Sequence, residues 1–273
     1  MAKQQGLIIT STVAPSWIYP DAKNNAKTAD DAIEEAISAW KAGAAVVHIH
    51  GKMNFTEDEW KRVIKTLRDK TDAIVQVGLS SLPIPDRLPV IKMKPDMLSI
   101  ILNHHDEAFP QLTMSVLHGR EELEEYCRVC TKYGIKPEWE VWHPGSNWNL
   151  NYLVDKKLAK PPHFVTLFMD WPGGIWSPAT PEELLHRLKQ QREDSLCSVS
   201  IMSQAQTQMA TMSLLLGHHL RVGTEDNPYY FFPDRLAKDS GELVARMVRI
   251  AKEVGREVAK PADARAVIGI RNS

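Results

Sequence analysis

The sequence lacks the features that mark membrane proteins and nucleic-acid-binding proteins. No apolar run approaches the roughly 18 residues of a membrane-spanning helix, and the opening stretch MAKQQGLIIT has no apolar segment of signal-peptide length. The 33 Lys and Arg residues are balanced by 34 Asp and Glu residues, so no basic surplus favours nucleic acid or an anionic membrane. We therefore expect a near-neutral metabolic protein of the cytoplasm.

Cysteine is scarce as well, with three residues among 273. Cys127 and Cys130 form a C-x-x-C pattern, but it lies within the helical stretch EELEEYCRVCTKYG and has no second pair of metal ligands. We predict two ordinary thiols on a helix, which argues against a disulfide framework and against a zinc site at this position.

Apolar runs alternate with amphipathic helical segments along the whole chain. Thr56 with Glu59, and Thr180 with Glu183, are typical of capping boxes at the starts of two of these helices. Eight runs read as buried strands: LIIT (7–10), AAVVHIH (44–50), AIVQVG (73–78), MLSIILN (97–103), PEWEVW (137–142), HFVTLFMD (163–170), LCSVSIM (196–202) and HLRVGTED (219–226).

Eight strand and helix units in about 250 residues predict a closed (β/α)₈ barrel, or TIM barrel, that forms one domain over residues 1–273. An open doubly wound sheet is the alternative. No Gly-x-Gly-x-x-Gly follows the first strand, however, and no phosphate-loop lysine pattern is present. In such barrels the chemistry lies at the carboxyl ends of the strands, so the polar residues that end each run are the candidates.

His48 and His50 end the second predicted strand and lie two residues apart, so both side chains project to one face. Arg221 and Glu225 share a face at the end of the eighth strand, which only the first strand separates from the second. Glu225 could thus complete a His₂Glu zinc site. A hydrogen-bonded histidine pair in the core and, for RVGTEDN, a surface turn after the strand with Asp226-Asn227-Pro228 as turn residues are the alternatives. A buried Arg221 would need a carboxylate partner, which Glu225 or Asp226 could supply.

Several stretches resemble the β-keto acid cleavage enzyme family: VVHIHGK after AGAA, PPHFVTLF, DWPGG, TPEELL, and above all LLLGHHLRVGTEDNPYY followed by SGELVARMVRIAKEVGREVAKPADARAVIGI. The similarity covers nearly the whole chain and is strongest over its last third. The resemblance implies a zinc-bearing barrel that condenses a β-keto acid with acetyl-CoA and yields acetoacetate and a new acyl-CoA, which makes the protein an acyltransferase. It also implies a homo-oligomer.

The resemblance places the zinc ligands at His48, His50 and Glu225, and the pair that removes a proton at Arg221 and Asp226. Zinc would polarise the keto group and stabilise an enolate. Asp226 is the expected proton acceptor, because an arginine alone is too basic to accept a proton readily.

Three segments depart from the family pattern. A glutamate that holds a substrate amino group is replaced within Ala14-Pro15-Ser16-Trp17, which predicts a substrate without a cationic tail. The Ser/Thr-Gly-Gly turn that binds a carboxylate becomes GLSSLP, and Asn-x-Gly-Ser/Thr becomes Asn103-His104-His105. The substrate-binding residues that we expect are Ser16, Trp17, Ser80, Ser81, Asn103 and Glu140.

Two other functions remain as alternatives. A zinc hydrolase of the amidohydrolase type also begins with His-x-His, but on strand one, with further metal histidines ending strands five and six. Here the pair is on strand two, and strand six ends in Met169-Asp170. The second alternative is a metal-dependent protein that binds small acids without catalysis, because the usual carboxylate-binding turns are altered.

Overall fold

A closed barrel of eight parallel strands forms the centre of the protein, as predicted. The computed structural model describes residues 5–50, 55–102, 105–109, 112–171 and 177–270. The strands are β1 (Ile9–Val13), β2 (Val46–Ile49), β3 (Ile74–Val77), β4 (Met97–Ile101), β5 (His105–Phe109), β6 (Leu112–Val116), β7 (Lys136–Val141), β8 (His163–Met169), β9 (Ser195–Ile201), β10 (His219–Gly223), β11 (Tyr229–Phe231) and β12 (Arg235–Leu236). Around the barrel the order is β1, β10, β9, β8, β7, β4, β3, β2.

A helix follows each barrel strand along the chain. The helices are α1 (Ala29–Ala42), α2 (Glu57–Lys70), α3 (Ile84–Lys92), α4 (Arg120–Tyr133), α5 (Ser146–Asp155), α6 (Pro181–Lys189), α7 (Gln206–Leu215), α8 (Ser240–Glu253) and α9 (Pro261–Ile268). None of the helices within the described residues combines the length and the apolar character needed to cross a membrane. Cys127 and Cys130 are buried on α4, so both thiols lie on a helix as predicted.

The predicted helix starts are present, with one difference in detail. Thr56 and Glu59 form a complete capping box on α2. Thr180 caps α6 by accepting a hydrogen bond from the Glu183 amide, but the Glu183 side chain accepts a hydrogen bond from Ser177 instead of completing the box. These caps satisfy amide groups that the first helical turn cannot pair internally.

Two antiparallel hairpins were not predicted. β5 pairs with β6 between β4 and α4, and β11 pairs with β12 between β10 and α8. Both insertions follow the carboxyl ends of barrel strands, the ends where the polar candidates cluster. The first strand covers Ile9–Val13 instead of the apolar run 7–10. It extends past that run because the polar residues of the ITSTV segment are also buried in the barrel.

Side chains alternate between the two faces of the barrel wall. Outward-facing residues of the strands, among them Val47, Val75 and Val165, pack against the helices in the main apolar core. At the amino end of the barrel, Phe164 and Met97 belong to an apolar cluster that α9 covers. Towards the carboxyl end the buried strand residues that alternate with the apolar core are polar: Thr12, His48, Gln76, Ser99, Glu138, Glu140, Thr166, Ser198, Ser200 and Arg221.

The register brings the predicted site residues together. β1 lies between β2 and β10, so Thr12 is level with His48 on one side and with Gly223 on the other. Because Gly223 has no side chain, the end of β10 passes close to Thr12, and the chain continues directly into Glu225 and Asp226. The order of the strands therefore supports the sequence argument that joined the second and eighth strands.

Candidate active site

A small pocket opens at the carboxyl end of the barrel. Its free volume of about 20 Å³ leaves room for about one water molecule. The described residues that line it are Trp17, His48, His50, Ser80, Ser81, Ile101, Glu140, Trp142, Phe168, Trp171, Arg221 and Glu225. Eight of the eleven predicted site residues therefore lie in one pocket, on the ends or following loops of β1, β2, β3, β7 and β10.

His48 and Glu225 face each other across this pocket. The Nε2 atom of His48 lies 3.6 Å from the Oε2 atom of Glu225, and both side chains are buried. Burial, together with the positive charge of Arg221 and the neighbouring His50, holds the pKa of His48 well below its usual value. His48 is therefore a neutral imidazole at pH 7. Its Nε2 atom makes no hydrogen bond with any described residue.

His50 lies beside this pair. Its ring centroid is 6.0 Å from that of His48, and the edge of Trp17 contacts it at 5.5 Å between centroids. Gly78 leaves the space that both imidazoles use, since a Cβ atom built on Gly78 would lie 2.8 Å from His50 Cδ2 and 3.0 Å from His48 Nε2. Any side chain at position 78 would displace one of the two rings.

The three predicted metal ligands line one pocket. Within the described residues no three His, Cys, Asp or Glu side chains form a group with the spacing of a metal site. His48 and Glu225 are close enough to share a cation, and the ring of His50 lies beside that of His48. The donor set fits zinc chemically, because two neutral imidazoles and a carboxylate are its usual ligands in open sites.

Arg221 and Asp226 form a buried, two-pronged ion pair. Arg221 donates from Nη2 to Asp226 Oδ1 at 2.9 Å and from Nε to Oδ2 at 3.1 Å, and Ser200 adds a hydrogen bond to Oδ2 at 3.2 Å. The same Nη2 lies 3.4 Å from Glu225 Oε1. The two carboxylates raise the pKa of Arg221 despite its burial, so it stays charged. Arg221 lines the pocket, while Asp226 lies behind it.

Glu140 is a second acidic group on the pocket wall. Burial and the nearby carboxylate of Glu138 raise the pKa of Glu140 to about 7. The positive charge of Arg221 acts in the opposite direction and limits the rise. The indole of Trp142 donates a hydrogen bond to Glu140 Oε2 at 3.1 Å. A carboxyl group that titrates near neutral pH can both accept and release a proton under cellular conditions.

The other predicted substrate residues divide into three groups. Trp17, Ser80 and Ser81 line the pocket, as expected for substrate contacts. Ser16 is not among the lining residues; it is buried in the turn after β1, where its hydroxyl accepts a hydrogen bond from the Tyr19 amide at 3.2 Å. Asn103 lies outside the described residues.

Aromatic side chains form an apolar part of the pocket wall, and Trp17 packs against them. Trp142 stacks on Phe168 with 4.8 Å between ring centroids, and Trp171 contacts both rings edge-on. The guanidinium carbon of Arg221 lies 5.0 Å from the centroid of Phe168. This wall makes one side of the pocket apolar, so an uncharged substituent would be accommodated there more readily than an ammonium group.

A layer of polar side chains that sequence reasoning missed lies beneath the pocket. Glu138, fully buried on β7, accepts hydrogen bonds from Thr166 at Oε1 and from Gln76 and Ser99 at Oε2, the last at 2.5 Å. Ser99 also lies 3.5 Å from Nδ1 of His48. The signal was present in PEWEVW, where two glutamates two residues apart must share one face of a strand.

Two buried arginines brace the strand ends around the pocket. Arg87, on α3, donates from Nη2 to the carbonyl oxygens of Gly78 and Ser99, each at 2.7 Å. Arg187, on α6, donates to the carbonyl oxygens of Val141 and Phe168. Each guanidinium thus joins two neighbouring strands near the carboxyl edge of the barrel, where the wall of the pocket begins.

A roomier cavity lies beside the pocket on the same end of the barrel. It has a volume of about 440 Å³ and is formed by the start of α7, the segment after β10 and α8. Its lining includes Asn227, which directly follows Asp226, and Arg246. The guanidinium carbon of Arg246 lies 4.4 Å from the ring centroid of Tyr230 and 4.9 Å from that of Phe231.

Comparison with known proteins decides the family. A family model described as beta-keto acid cleavage enzyme matches residues 7–270. The chain belongs to the β-keto acid cleavage enzyme family. The resemblance noted in the sequence is thereby confirmed over almost the whole chain.

Curated relatives give the same result. Two proteins named 3-keto-5-aminohexanoate cleavage enzyme are each 31% identical to the chain. The protein from Fusobacterium nucleatum subsp. nucleatum aligns over 261 residues, 89% of this chain and 90% of its own. The protein from Acetoanaerobium sticklandii aligns over 278 residues, 97% and 98% respectively. A 3,5-dioxohexanoate:acetyl-CoA acetone transferase from Paraburkholderia graminis is 25% identical over 274 residues, 88% of this chain and 87% of its own.

Among solved structures, the apo structure of ObcA superposes with a TM-score of 0.73 at 16% sequence identity. The match covers 91% of this chain and spans 66% of the ObcA chain. At this level of identity the likeness concerns the fold, and it agrees with the closed barrel described above.

Proposed function

We propose that this member of the family is an acyltransferase that exchanges an acyl group between a β-keto acid and acetyl-CoA. The observation that carries the proposal is the convergence of His48, Glu225, Arg221 and Glu140 on one pocket of the family barrel, with Asp226 bound behind Arg221. The names of the relatives support the class of reaction, since they describe keto-acid cleavage and an acetyl-CoA-dependent transfer.

The pocket would hold a divalent metal ion, with zinc as the proposed ion and His48, His50 and Glu225 as its ligands. The fit rests on the neutral imidazole of His48, whose Nε2 atom is buried, faces Glu225 Oε2 and makes no hydrogen bond with a described residue. Such an ion would polarise the keto group of the substrate and lower the energy of the enolate. Space for both histidine rings depends on Gly78.

The protein's own residues would manage the proton and the developing negative charge. Asp226 is the proposed acceptor for the proton on the carbon between the keto and carboxylate groups, and Arg221 orients it through two hydrogen bonds. Glu140 is a second candidate, because it lines the pocket and has a pKa near 7. The charge of Arg221 would also stabilise the enolate, since it faces the pocket.

The proposed reaction forms one carbon–carbon bond and then breaks another. The enolate carbon attacks the acetyl carbonyl of acetyl-CoA, a carbon–carbon bond forms, and the CoA thiolate leaves. The thiolate then attacks the original keto carbon, the bond between that carbon and the enolate carbon breaks, and the released carbanion takes back the proton. The products are acetoacetate and the CoA thioester of the remaining acyl group.

The substituent of the keto acid is proposed to be uncharged. Residues 14–17 place Trp17, and no carboxylate, on the pocket wall after β1, where Trp17 packs against the apolar cluster of Trp142, Phe168 and Trp171. An ammonium group would lose its hydration there without a counter-charge from this segment, at a cost of several kcal/mol. The proposal separates this protein from its 31% identical relatives, which are named for an amino-keto acid.

The CoA portion of the second substrate is proposed to occupy the cavity beside the pocket. A free volume of about 20 Å³ cannot take a nucleotide, whereas the neighbouring cavity of about 440 Å³ offers aromatic faces and a guanidinium group. Arg246 could pair with a phosphate, and Phe231 could stack on the adenine ring. Asn227 links this cavity to Asp226 in the chain.

The decisive experiment incubates the zinc-supplemented protein with acetyl-CoA and a panel of uncharged and amino-substituted β-keto acids. Formation of acetoacetate together with a new acyl-CoA is expected only when both substrates are present. A parallel incubation with an ester or an amide and without CoA tests the amidohydrolase alternative, which consumption of either compound would favour. Binding of keto acids without turnover over the whole panel would favour the non-catalytic alternative.

A further inference from the structure

Glu138 is a fully buried carboxylate that the proposed reaction does not use. It lies on β7 below Glu140, and its two oxygens accept hydrogen bonds from three neutral side chains, those of Gln76, Ser99 and Thr166. A buried carboxylate is costly unless such donors compensate for its lost hydration. We therefore looked for a role of Glu138 in the contacts that its hydrogen-bond partners make.

Ser99 connects Glu138 to His48. Ser99 donates its single hydroxyl proton to Glu138 Oε2, with 2.5 Å between the two oxygens. The Ser99 oxygen also receives a hydrogen bond from the Gln76 amide at 3.3 Å. With its proton committed, the oxygen can offer only a lone pair to Nδ1 of His48, which lies 3.5 Å away.

We infer that Glu138, acting through Ser99, fixes the tautomer of His48 with its proton on Nδ1 and a free lone pair on Nε2. The other tautomer would set the Nδ1 lone pair against a lone pair of Ser99. On the other side of the ring, no described residue accepts a hydrogen bond from Nε2 that would favour a proton there. Glu138 and Ser99 are therefore positioning residues for His48.

The consequence concerns the two atoms that face each other across the pocket. With the lone pair of His48 Nε2 directed at Glu225 Oε2, two Lewis bases lie 3.6 Å apart, an arrangement that favours a cation between them. The hydrogen-bond chain from Glu138 to His48 thus prepares the pocket for a metal ion before one arrives. This last step rests on the proposed function, whereas the tautomer of His48 does not.

The test compares Ser99→Ala with Ser198→Ala in metal-free protein. Ser198 is a matched control, because it is equally buried inside the barrel, on β9, and its hydroxyl has no partner among the described residues. Long-range ¹H–¹⁵N spectra of the histidine rings report the tautomer, with His48→Gln used to assign the His48 signals. We expect neutral His48 protonated on Nδ1 in the wild type and in Ser198→Ala, and a mixture of tautomers in Ser99→Ala.

A second readout is the zinc affinity measured by competition with a chelator. Ser99→Ala should bind zinc about 10- to 100-fold more weakly than the wild type, as is typical when the hydrogen-bond partner of a metal-binding histidine is removed. Glu138→Gln should lose less, because its amide oxygen still accepts from Ser99. It also serves as the second variant if Ser99→Ala fails to fold.

Several results would overturn the inference. They are a wild-type His48 protonated on Nε2, an unchanged tautomer in Ser99→Ala, and, when the wild type does bind zinc, an unchanged zinc affinity in both variants. The two readouts also separate the inference from the proposed function. If the wild type binds no zinc but Ser99→Ala changes the tautomer of His48, the positioning role stands and the metal is rejected. If the wild type binds zinc tightly but Ser99→Ala leaves the tautomer unchanged, the metal stands and the positioning role is rejected.

Discussion

The Nε2 atom of His48 lies 3.6 Å from the Oε2 atom of Glu225, although the two residues are 177 positions apart and belong to the ends of different barrel strands. Two buried electron-pair donors at this distance favour the binding of a cation between them. The low pKa of His48 keeps its ring neutral, so that cation is not a second proton on the imidazole.

His48→Ala and Glu225→Ala should each abolish the binding of one zinc ion per chain, because either change removes half of this closest donor pair. Metal analysis after dialysis against a weak chelator measures the loss. His186→Ala, which removes an exposed histidine on α6, should bind zinc like the wild type. Full zinc occupancy in both site variants would exclude these residues as ligands.

Asp226→Asn should retain zinc yet lower kcat on the order of 100-fold or more, because it removes the proposed proton acceptor while preserving the size of the side chain. Asp234→Asn, at an exposed position of the segment between β11 and β12, is the matched control. If Asp226→Asn keeps a near-normal rate and Glu140→Gln loses it, Glu140 is the base. Steady-state rates of both variants with the same keto acid decide between them.

The stability of the metal-free protein should fall as pH rises from about 4.5 to about 7. Burial, with Glu138 nearby, raises the pKa of Glu140 to about 7, so the folded state retains a proton that the unfolded state releases over this range. The loss of stability caused by ionised Glu140 is fully present above about pH 7 and absent below about pH 4.5.

Glu140→Gln should remove this part of the pH dependence and gain stability relative to the wild type at pH 8, by up to about 3 kcal/mol. Urea unfolding at pH 5 and at pH 8 measures the difference. Glu253→Gln, at an exposed position of α8, is the control and should follow the wild-type curve. Parallel curves for the wild type and Glu140→Gln would contradict the raised pKa.

An uncharged 3-keto acid should be used at least about 10-fold more efficiently than 3-keto-5-aminohexanoate, because the ammonium group would be desolvated against Trp17 without a counter-charge. The measurement is kcat/KM for two substrates of similar length. Trp17→Glu should shift the ratio towards the amino compound. A wild-type preference for the amino compound would show that another carboxylate binds the tail.

Arg246→Ala should raise KM for acetyl-CoA about 10-fold with little change in kcat, as expected for the loss of one charge-assisted hydrogen bond to a phosphate. The truncated thioester acetyl-N-acetylcysteamine lacks the nucleotide, so its kinetics should not change. Arg128→Ala, which removes an exposed arginine on α4, is the control. Equal effects on both thioesters would place the nucleotide elsewhere.

The barrel and the pairing of its strands were predictable because the outward faces of the strands are apolar and the helices carry clear start signals. Parity placed His48 and Arg221 inside the barrel, since a strand allows each side chain only two directions. The same logic extended to Glu138, but alternation cannot show which polar groups touch. The contact between Ser99 and His48 depends on the stagger of three strands, β2, β3 and β4, which the sequence does not display.

The hairpins β5–β6 and β11–β12 were missed for a different reason. Their segments, HDEAF, LTMSV, YYF and RL, are short and partly polar, and they pair only with each other. Such local pairs leave little periodic signal compared with strands that are buried on both faces. The half-formed capping box at Thr180 was likewise beyond reach, because Glu183 binds the Ser177 hydroxyl, whose approach depends on the loop after β8.

The bracing of strand ends by Arg87 and Arg187 has a consequence for how new specificities can arise in this barrel. Because the guanidinium groups hold main-chain oxygens of Gly78, Ser99, Val141 and Phe168, the edge of the barrel is fixed from behind by helices. Loops in front of that edge can therefore exchange residues, as at Trp17, without moving the reacting groups. The loops can therefore change the choice of substrate while the braced strand ends keep the reacting groups in place.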